Sequence, residues 1–172
     1  MFYVLAFPQF HDPETARHYD RWRHDFDVPH AIETPAYVTL VFGANDAAQD
    51  HVTEISTQTA LIRAQFNILM IWPKRDGSET LLFGDSEQGA QALTALHRTL
   101  HTGPLHSALS RDHPFVPHIT LGHLPTFDAA ETARAQIAPQ LGAGWANIID
   151  LTVVHRGPPV ETRATYPLGR AA

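Results

Sequence analysis

The sequence predicts a mixed fold of strands and helices, arranged as two lobes that face each other across a cleft. Short apolar segments typical of strands alternate with amphipathic segments typical of helices along the chain. The same order of elements occurs in each half, and the middle strand of each half carries similar residues. Such an internal duplication favours two lobes related by an approximate two-fold axis, with the two middle strands facing each other.

Length and charge indicate one domain and a small ligand. The 172 residues fit a single domain, residues 1–172, whose pseudo-duplicated lobes are expected at roughly 1–75 and 76–172. The net charge is −6 with neutral histidines. This charge argues against long duplex nucleic acid as a partner, because its binding depends on neutralising many phosphates. A small phosphate ligand or an RNA terminus needs only a local site.

Cysteine and histidine usage excludes thiol chemistry and gives little sign of a metal. The chain has no cysteine, which excludes disulfides, thiolate catalysis and cysteine-ligated zinc. His97 and His101 have the i, i+4 spacing of a helical metal face. Neither a His-Glu-x-x-His pattern nor a nearby acidic ligand accompanies them, so we expect no metal there.

The amino-terminal segment Met1–Phe7 is apolar but short, lacks a basic flank and is followed by Pro8. We interpret it as a strand, Phe2–Phe7, rather than a signal peptide. No apolar run approaches the ~20 residues of a membrane span. We therefore expect a soluble cytoplasmic monomer with no membrane partner.

The first half of the chain is predicted to contain three strands and two helices. Asp12 followed by Pro13 is typical of a helix start, and the spacing of apolar residues from Tyr19 to Phe26 predicts a buried face that ends before Pro29. A second helix is predicted from a cap at Asn45-Asp46 to about Ala64. The strands of this half are predicted at Phe2–Phe7, Tyr37–Phe42 and Phe66–Trp72.

The second half begins after a turn at Lys74–Gly77 and repeats this order. A third helix is predicted from Ser86, with leucines on its core face, and ends at Gly103-Pro104. Asp128 is predicted to cap a fourth helix that ends near Leu141. The strands of this half are predicted at Glu79–Phe83, Phe115–Leu124, Asn147–Val154 and Glu161–Pro167.

The two middle strands share a short motif. The segment Tyr37–Leu40 (Tyr-Val-Thr-Leu) corresponds to His118–Leu121 (His-Ile-Thr-Leu), 81 residues later. Because side chains alternate along a strand, His118 and Thr120 are expected on one face and apolar residues on the other. An imidazole beside a hydroxyl suits a phosphate, since the hydroxyl donates to an oxygen and the imidazole transfers a proton near neutral pH.

With these residues the chain resembles the two-histidine (2H) phosphoesterase superfamily, which includes the bacterial 2'-5' RNA ligase and RNA 2',3'-cyclic phosphodiesterase proteins. That family carries two His-x-Thr/Ser-x motifs. Phe115–Gly122 matches the second motif, and Tyr37–Phe42 matches the first at every position except the histidine. The resemblance extends over essentially the whole chain.

The resemblance implies a bilobal α+β fold, with antiparallel-rich sheets flanking a water-filled cleft and helices outside. It also implies phosphodiester chemistry without a metal or nucleotide cofactor. Carried onto this sequence, it makes His118 a proton-transfer group and Thr39 and Thr120 contacts to the phosphate. Tyr37 stands where the family has its other catalytic histidine.

Tyr37 changes the chemistry expected of that pair. Opening a 2',3'-cyclic phosphate needs a base for the nucleophile and an acid for the departing ribose oxygen. A phenol with an ordinary pKa of about 10 is protonated at neutral pH, so it donates but is a poor base. We therefore expect His118 as the base and Tyr37 as the acid or as a donor to the phosphate. The alternative is that Tyr37 is an ordinary packing residue.

Other polar residues are candidates for the rim of the cleft. His123 lies five residues after His118, and Arg156 follows the penultimate predicted strand. Arg156, or alternatively Arg163, has the guanidinium that binds phosphate well. His30 is a substitute for the missing imidazole only if the loop before Tyr37 folds back.

Three functions remain open from the sequence. The first is an enzyme, a cyclic phosphodiesterase or reversible ligase that acts on RNA 2',3'-cyclic or 2'-5' ends or on a small cyclic nucleotide. The second is a module that binds a phosphate-bearing nucleotide or RNA end without turnover. The third is a structural protein in which the motif is coincidental.

Overall fold

Nine strands form one strongly curled antiparallel sheet in the computed structural model, which describes residues 1–27, 34–110, 114–157 and 159–169. The α+β class is thereby confirmed. The strands are β1 (Phe2–Ala6), β2 (Gln9–Phe10), β3 (Val38–Ala44), β4 (Ile62–Pro73), β5 (Thr80–Ser86), β6 (His118–Leu124), β7 (Trp145–Ile148), β8 (Asp150–His155) and β9 (Glu161–Pro167). The helices are α1 (Pro13–Phe26), α2 (Gln49–Gln58), α3 (Ala90–Leu100) and α4 (Phe127–Ile137), with 3-10 turns at Gly103–Ala108 and Ala138–Gln140.

The sheet consists of two segments that meet at its centre. Their combined strand order is β2-β7-β4-β5-β6-β3-β1-β8-β9. Within the described residues, β3 and β6 are paired at one position, Val38 opposite Ile119, whereas the other neighbours share longer ladders. We call this junction the seam. It joins the segment β2-β7-β4-β5-β6 to the segment β3-β1-β8-β9.

The two sheet segments do not coincide with the two halves of the chain, residues 1–75 and 76–172. Strand β1 pairs with β8 from the other half of the chain, and β4 pairs with β5 and β7. Each sheet segment therefore draws strands from both halves. Strand partners are long-range choices, which an internal repeat of elements does not determine.

The predicted strand Asn147–Val154 is wrong as a single element. Strand β7 ends at Ile148 and pairs with β4, whereas β8 begins at Asp150 and pairs with β1. The chain changes sheet segment at Ile149, whose carbonyl accepts a hydrogen bond from Leu168 N–H at 2.8 Å. A continuous apolar run conceals such a change, because both strands are buried.

The second helix is shorter than its apolar periodicity predicts. It begins at Gln49, after Ala48 in the left-handed region, and ends at Gln58 rather than near Ala64. Ile62 lies at a helical spacing from Ile55, yet it begins β4 and pairs with Ile148. Tertiary pairing decides this boundary over the local pattern.

The first helix follows its local signals. The Asp12 carboxylate accepts from the backbone N–H groups of Glu14 and Thr15, and Pro13 occupies the first turn. Tyr19 and Trp22 are buried against the sheet, and the helix ends at Phe26, as the position of Pro29 predicts.

The helices pack on one face of the curled sheet, where their buried residues join the sheet in a single hydrophobic cluster. The opposite face of the β1–β8 region has a small cluster of its own, formed by Tyr3, Leu5 and Val154. None of the described helices is long and apolar enough to cross a membrane.

Candidate active site

The seam brings the two sequence motifs side by side. Antiparallel pairing of Val38 with Ile119 places Thr39 opposite His118 and Tyr37 opposite Thr120. The alternating exposure of both strands agrees with this arrangement. Val38, Leu40, Ile119 and Leu121 are buried, while Tyr37, Thr39, His118 and Thr120 are half-buried. The four polar side chains therefore lie together on the face away from the main core.

His118 is held in one orientation and presents one ring nitrogen. Its Nδ1 lies 2.7 Å from the Val116 carbonyl, which can accept a hydrogen bond only if Nδ1 carries the proton. In the neutral ring Nε2 is then the basic nitrogen. The imidazole stacks on Phe83, with ring centroids 3.8 Å apart. Burial lowers the pKa of His118, while the bond to Val116 opposes that shift. These contacts favour a neutral ring that can accept a proton at Nε2.

Tyr37 lies immediately before β3, close to Arg23 and at the same pocket as Arg156. The Arg23 guanidinium carbon lies 5.0 Å from the centre of the Tyr37 ring, and Phe7 meets the ring edge-to-face at 6.2 Å. Burial raises the pKa of the Tyr37 phenol, and the charges of Arg156 and Arg23 act against that shift. The phenol is therefore a donor at neutral pH.

Arg23 is a residue that the sequence patterns did not single out. Its side chain is only 2% exposed, and it donates to the Thr34 carbonyl at 2.8 Å and pairs with Asp27 at 3.9 Å. Through these contacts α1 holds the segment that leads into β3. The available signal is its position four residues after Tyr19, which places it on the buried face of α1.

A pocket opens on the β3 side of the seam. Arg156 lies at this pocket with its guanidinium carbon 5.4 Å from the centre of the Tyr3 ring. The pocket therefore brings together Tyr37, Thr39 and Arg156, three of the residues selected from the sequence. Within the described residues, His118 and Thr120 are not part of its lining. The lining consists of Tyr3, Leu5, Thr34, Tyr37, Thr39, Val154, Arg156 and Val160.

His123 is engaged with carboxylates away from His118. Its Nδ1 lies 2.9 Å from Glu79 Oε2, and its Nε2 lies 3.7 Å from Asp27 Oδ1. Arg163 pairs with Glu161 at 2.7 Å. His30 lies outside the described residues.

His97 and His101 bond to the backbone. Their Nδ1 atoms lie 2.7 Å from the Leu40 carbonyl and 2.8 Å from the His97 carbonyl, respectively. The His97 ring also stacks on Phe115 at 3.9 Å. In the part of the chain that the structure describes, no group of three or more histidine, aspartate or glutamate side chains is placed to hold a metal ion.

Strand β5 adds two residues beside His118 that sequence reasoning missed. Asp85 is opposite His118 and Phe83 is opposite Thr120 in the β5–β6 ladder. Burial raises the pKa of the Asp85 carboxyl, although a bond from Ser86 N–H opposes the shift. Finding these residues requires the strand register, which the sequence alone does not provide.

Known proteins share both the sequence pattern and the architecture. A family model described as the 2'-5' RNA ligase superfamily matches residues 11–158. Usb1 from Kluyveromyces marxianus has 14% identity and a TM-score of 0.61, with 97% of each chain covered. It is also solved with uridine monophosphate, at 11% identity and a TM-score of 0.59 over 97% of each chain.

Two further solved structures have the same fold. E. coli LigT complexed with 3'-AMP has 15% identity and a TM-score of 0.55, covering 98% of this chain and 99% of its own. A structure described as a phosphoesterase has 15% identity and a TM-score of 0.58, covering 99% of this chain and all of its own (100%). A search of curated proteins finds no match to the chain.

Proposed function

The chain belongs to the 2'-5' RNA ligase superfamily, and from that premise we propose that it opens 2',3'-cyclic phosphates at RNA ends or in small cyclic nucleotides. Ligation would be the same ring opening with the 5'-hydroxyl of a second RNA end in place of water as the nucleophile. We place this activity in the cytoplasm, in a monomer, without a metal or nucleotide cofactor. Nucleotides bound to Usb1 and to LigT, uridine monophosphate and 3'-AMP respectively, support a ligand of this class.

In the proposed reaction, His118 Nε2 removes a proton from water as the water oxygen attacks phosphorus. The bond from phosphorus to one ribose oxygen breaks, and the Tyr37 hydroxyl donates its proton to that oxygen. His118 then releases its proton to solvent, and the Tyr37 phenolate takes up a proton from solvent. Both residues thereby return to their starting forms. The products are a ribose hydroxyl and a phosphate monoester, so atoms and charge balance.

The other polar groups of the seam would hold the phosphate. Thr39 and Thr120 lie on the same face as His118 and can donate to its nonbridging oxygens. Arg156 lies beside Tyr37 and Thr39 at the pocket and adds a charge-assisted donor. His123, which is engaged with Glu79, is assigned to the rim rather than to the phosphate.

One observation carries the proposal: His118 Nδ1 lies 2.7 Å from the Val116 carbonyl, which leaves Nε2 as the basic nitrogen of the neutral ring, at the junction where Thr39 stands opposite. The combination supplies a base beside a donor for phosphate.

Hydrolysis of 2',3'-cyclic AMP by purified protein tests the proposal. We expect His118→Ala to lower kcat/KM by about 10²–10⁴-fold, the usual contribution of one positioned proton transfer. The matched control is His24→Ala, because His24 is exposed on α1. Equal turnover by the two variants would contradict the assigned role of His118.

A binding module without turnover is the second candidate, and the packing of Tyr37 favours it. The Tyr37 ring packs partly against the small cluster of Tyr3, Leu5 and Val154. Such packing limits the ability of the phenol to follow a departing oxygen. Calorimetry with 2',3'-cyclic AMP separates the candidates, since binding without product between pH 5 and 9 supports the module.

A further inference from the structure

We propose that the inner face of strands β4 and β5 is a stacking platform for the bases of single-stranded RNA upstream of the reacting phosphate. The platform consists of Ile68, Met70, Trp72, Leu81 and Phe83. The inference rests on the proposed function, because it assigns a neighbouring subsite to the same ligand. It goes further by naming a contact that a mononucleotide does not make.

The strand registers place these residues in rows that continue from the candidate site. Ile68 is opposite Asp85, which is opposite His118. Met70 is opposite Phe83, which is opposite Thr120. In the same way Trp72 is opposite Leu81, which is opposite His123. Phe83 stacks on His118, so the row that contains Phe83 lies on the same face of the sheet as the imidazole.

The platform lies on the face that the helices leave open. Leu69, Ile71 and Leu82, which alternate with the platform residues, join the main hydrophobic cluster beneath the helices. In the described part of the chain, the platform residues belong to neither hydrophobic cluster. Ile68 and Trp72 are each 38% exposed. Met70 and Leu81 are half-buried, while Phe83 is 7% exposed and is covered by the His118 ring. Ile68 and Trp72 therefore supply the accessible apolar surface beside the polar site.

The size of the platform exceeds one nucleotide. Ile68 lies in the same row as His118, two strands away, and Trp72 lies four residues further along β4. With strands ~4.8 Å apart and ~3.3 Å per residue, the Trp72 and His118 backbones are about 16 Å apart. A nucleotide whose phosphate is at His118 would place its own base near Ile68 and Met70. Trp72 would then meet the base of a preceding nucleotide.

The chemistry of the platform suits bases better than phosphates. Aromatic and aliphatic side chains stack on nucleobases of any sequence, because every base has a π-face. The three rows contain no arginine or lysine, and Asp85 is their acidic member. The platform would therefore contribute through stacking, with little preference for base identity.

The test compares cyclic-phosphate-terminated adenylates of one, two and three nucleotides as substrates, with 3'-phosphorylated adenylates of the same lengths as ligands for binding. We expect the wild-type kcat/KM, or the association constant, to rise about tenfold from one to three nucleotides, in line with base stacking on aromatic residues. Trp72→Ala should remove this rise without changing the value for the mononucleotide. Trp72→Phe should retain most of the rise.

Phe127→Ala is the matched control, because Phe127 is 50% exposed and belongs to α4 on the helical face. Thermal unfolding of each variant separates a loss of stacking from a loss of fold. A rise with length that Trp72→Ala leaves intact would overturn the platform. Wild-type protein that acts on the mononucleotide with no gain from length would also overturn it, while the proposed function would stand. Failure to bind or cleave any length would overturn both proposals.

Discussion

Tyr37 and His118 occupy corresponding positions in the two sequence motifs, and the surroundings of the phenol differ from those of the imidazole. Arg23 lies over the ring of Tyr37, and Arg156 contributes a second positive charge. Both charges would repel a protonated imidazole and stabilise a phenolate. Burial outweighs both charges and raises the pKa of the phenol, so Tyr37 is protonated at neutral pH and can donate. This suits Tyr37 to the role of acid and leaves His118 as the base.

Removal of the Tyr37 hydroxyl tests that division of roles. We expect Tyr37→Phe to lower kcat/KM for a 2',3'-cyclic nucleotide by about 10²-fold, because the departing oxygen loses its proton donor. Tyr166→Phe is the control, since Tyr166 is half-buried on β9 and packs against the main cluster. Unchanged turnover in Tyr37→Phe would assign Tyr37 to packing. A strong gain in Tyr37→His would indicate that the tyrosine impairs an ancestral histidine pair.

The pH dependence of the reaction follows from the same two residues. Burial lowers the pKa of His118 below its ordinary value of 6.5, so the basic form persists into mildly acidic solution. Burial also raises the pKa of Tyr37, so the acid form persists at alkaline pH. We expect kcat/KM to rise with pH below 6.5 and then stay level past neutral pH. A rising limb centred above pH 7 would contradict His118 as the base.

Stability should respond to pH in the same direction. The unfolded chain takes up a proton on His118 at a higher pH than the folded chain does, because the folded pKa is lowered. The free energy of unfolding should therefore decrease as pH falls below about 6.5. In His118→Gln that part of the decrease should be absent from urea unfolding curves measured between pH 5 and 8.

At the scale of elements, local signals predicted what depends on neighbours in the chain. The α1 cap formed by Asp12 and the alternation of His118 and Thr120 with buried residues both follow from sequence spacing. The break at Ile149 and the start of β4 at Ile62 depend on partners far away, so spacing misplaced them. Arg23 and Phe83 were missed for the same reason, because their roles come from contacts with Tyr37 and His118 across elements.

The approach of β7 to β4 gives a prediction about one glycine. Gly144 has a φ of 64°, and a Cβ atom there would lie 2.0 Å from the Phe66 carbonyl oxygen. That oxygen also accepts a hydrogen bond from the buried Tyr19 hydroxyl at 2.6 Å, so it has little freedom to move. We expect Gly144→Ala to lower the free energy of unfolding by about 3 kcal/mol, from left-handed strain plus overpacking.

Gly77→Ala provides the comparison that isolates the steric effect. Gly77 has a φ of 70°, and a Cβ atom there would have no neighbour within 4 Å. Its cost should be about 1 kcal/mol, from the left-handed conformation alone. Equal losses for the two variants in urea unfolding would show that the close approach to Phe66 contributes nothing.

At the scale of the whole molecule, strand pairs connect the two halves of the chain. The seam itself contributes one registered pair in the described residues, Val38 with Ile119. Other connections between the halves are stronger, because β1 pairs with β8 and β4 pairs with β5 and β7. The geometry of the candidate site therefore depends on contacts that span most of the sequence.

This arrangement predicts that the chain cannot be divided near residue 75. Separate fragments 1–75 and 76–172 should each lack a cooperative unfolding transition, because β4 in the first would lose both of its neighbours and β8 in the second would lose β1. Unpaired strand edges of this kind expose backbone groups and apolar surface, which favours disorder or aggregation. Circular dichroism of each fragment during urea titration measures the transition.

Co-expression of the two fragments should restore both the transition and binding of a cyclic nucleotide, since all strand partners are then present. Cooperative unfolding of fragment 1–75 alone would instead show that β1, β3 and their helices form an independent lobe, in which case the seam would be an interface between two folding units.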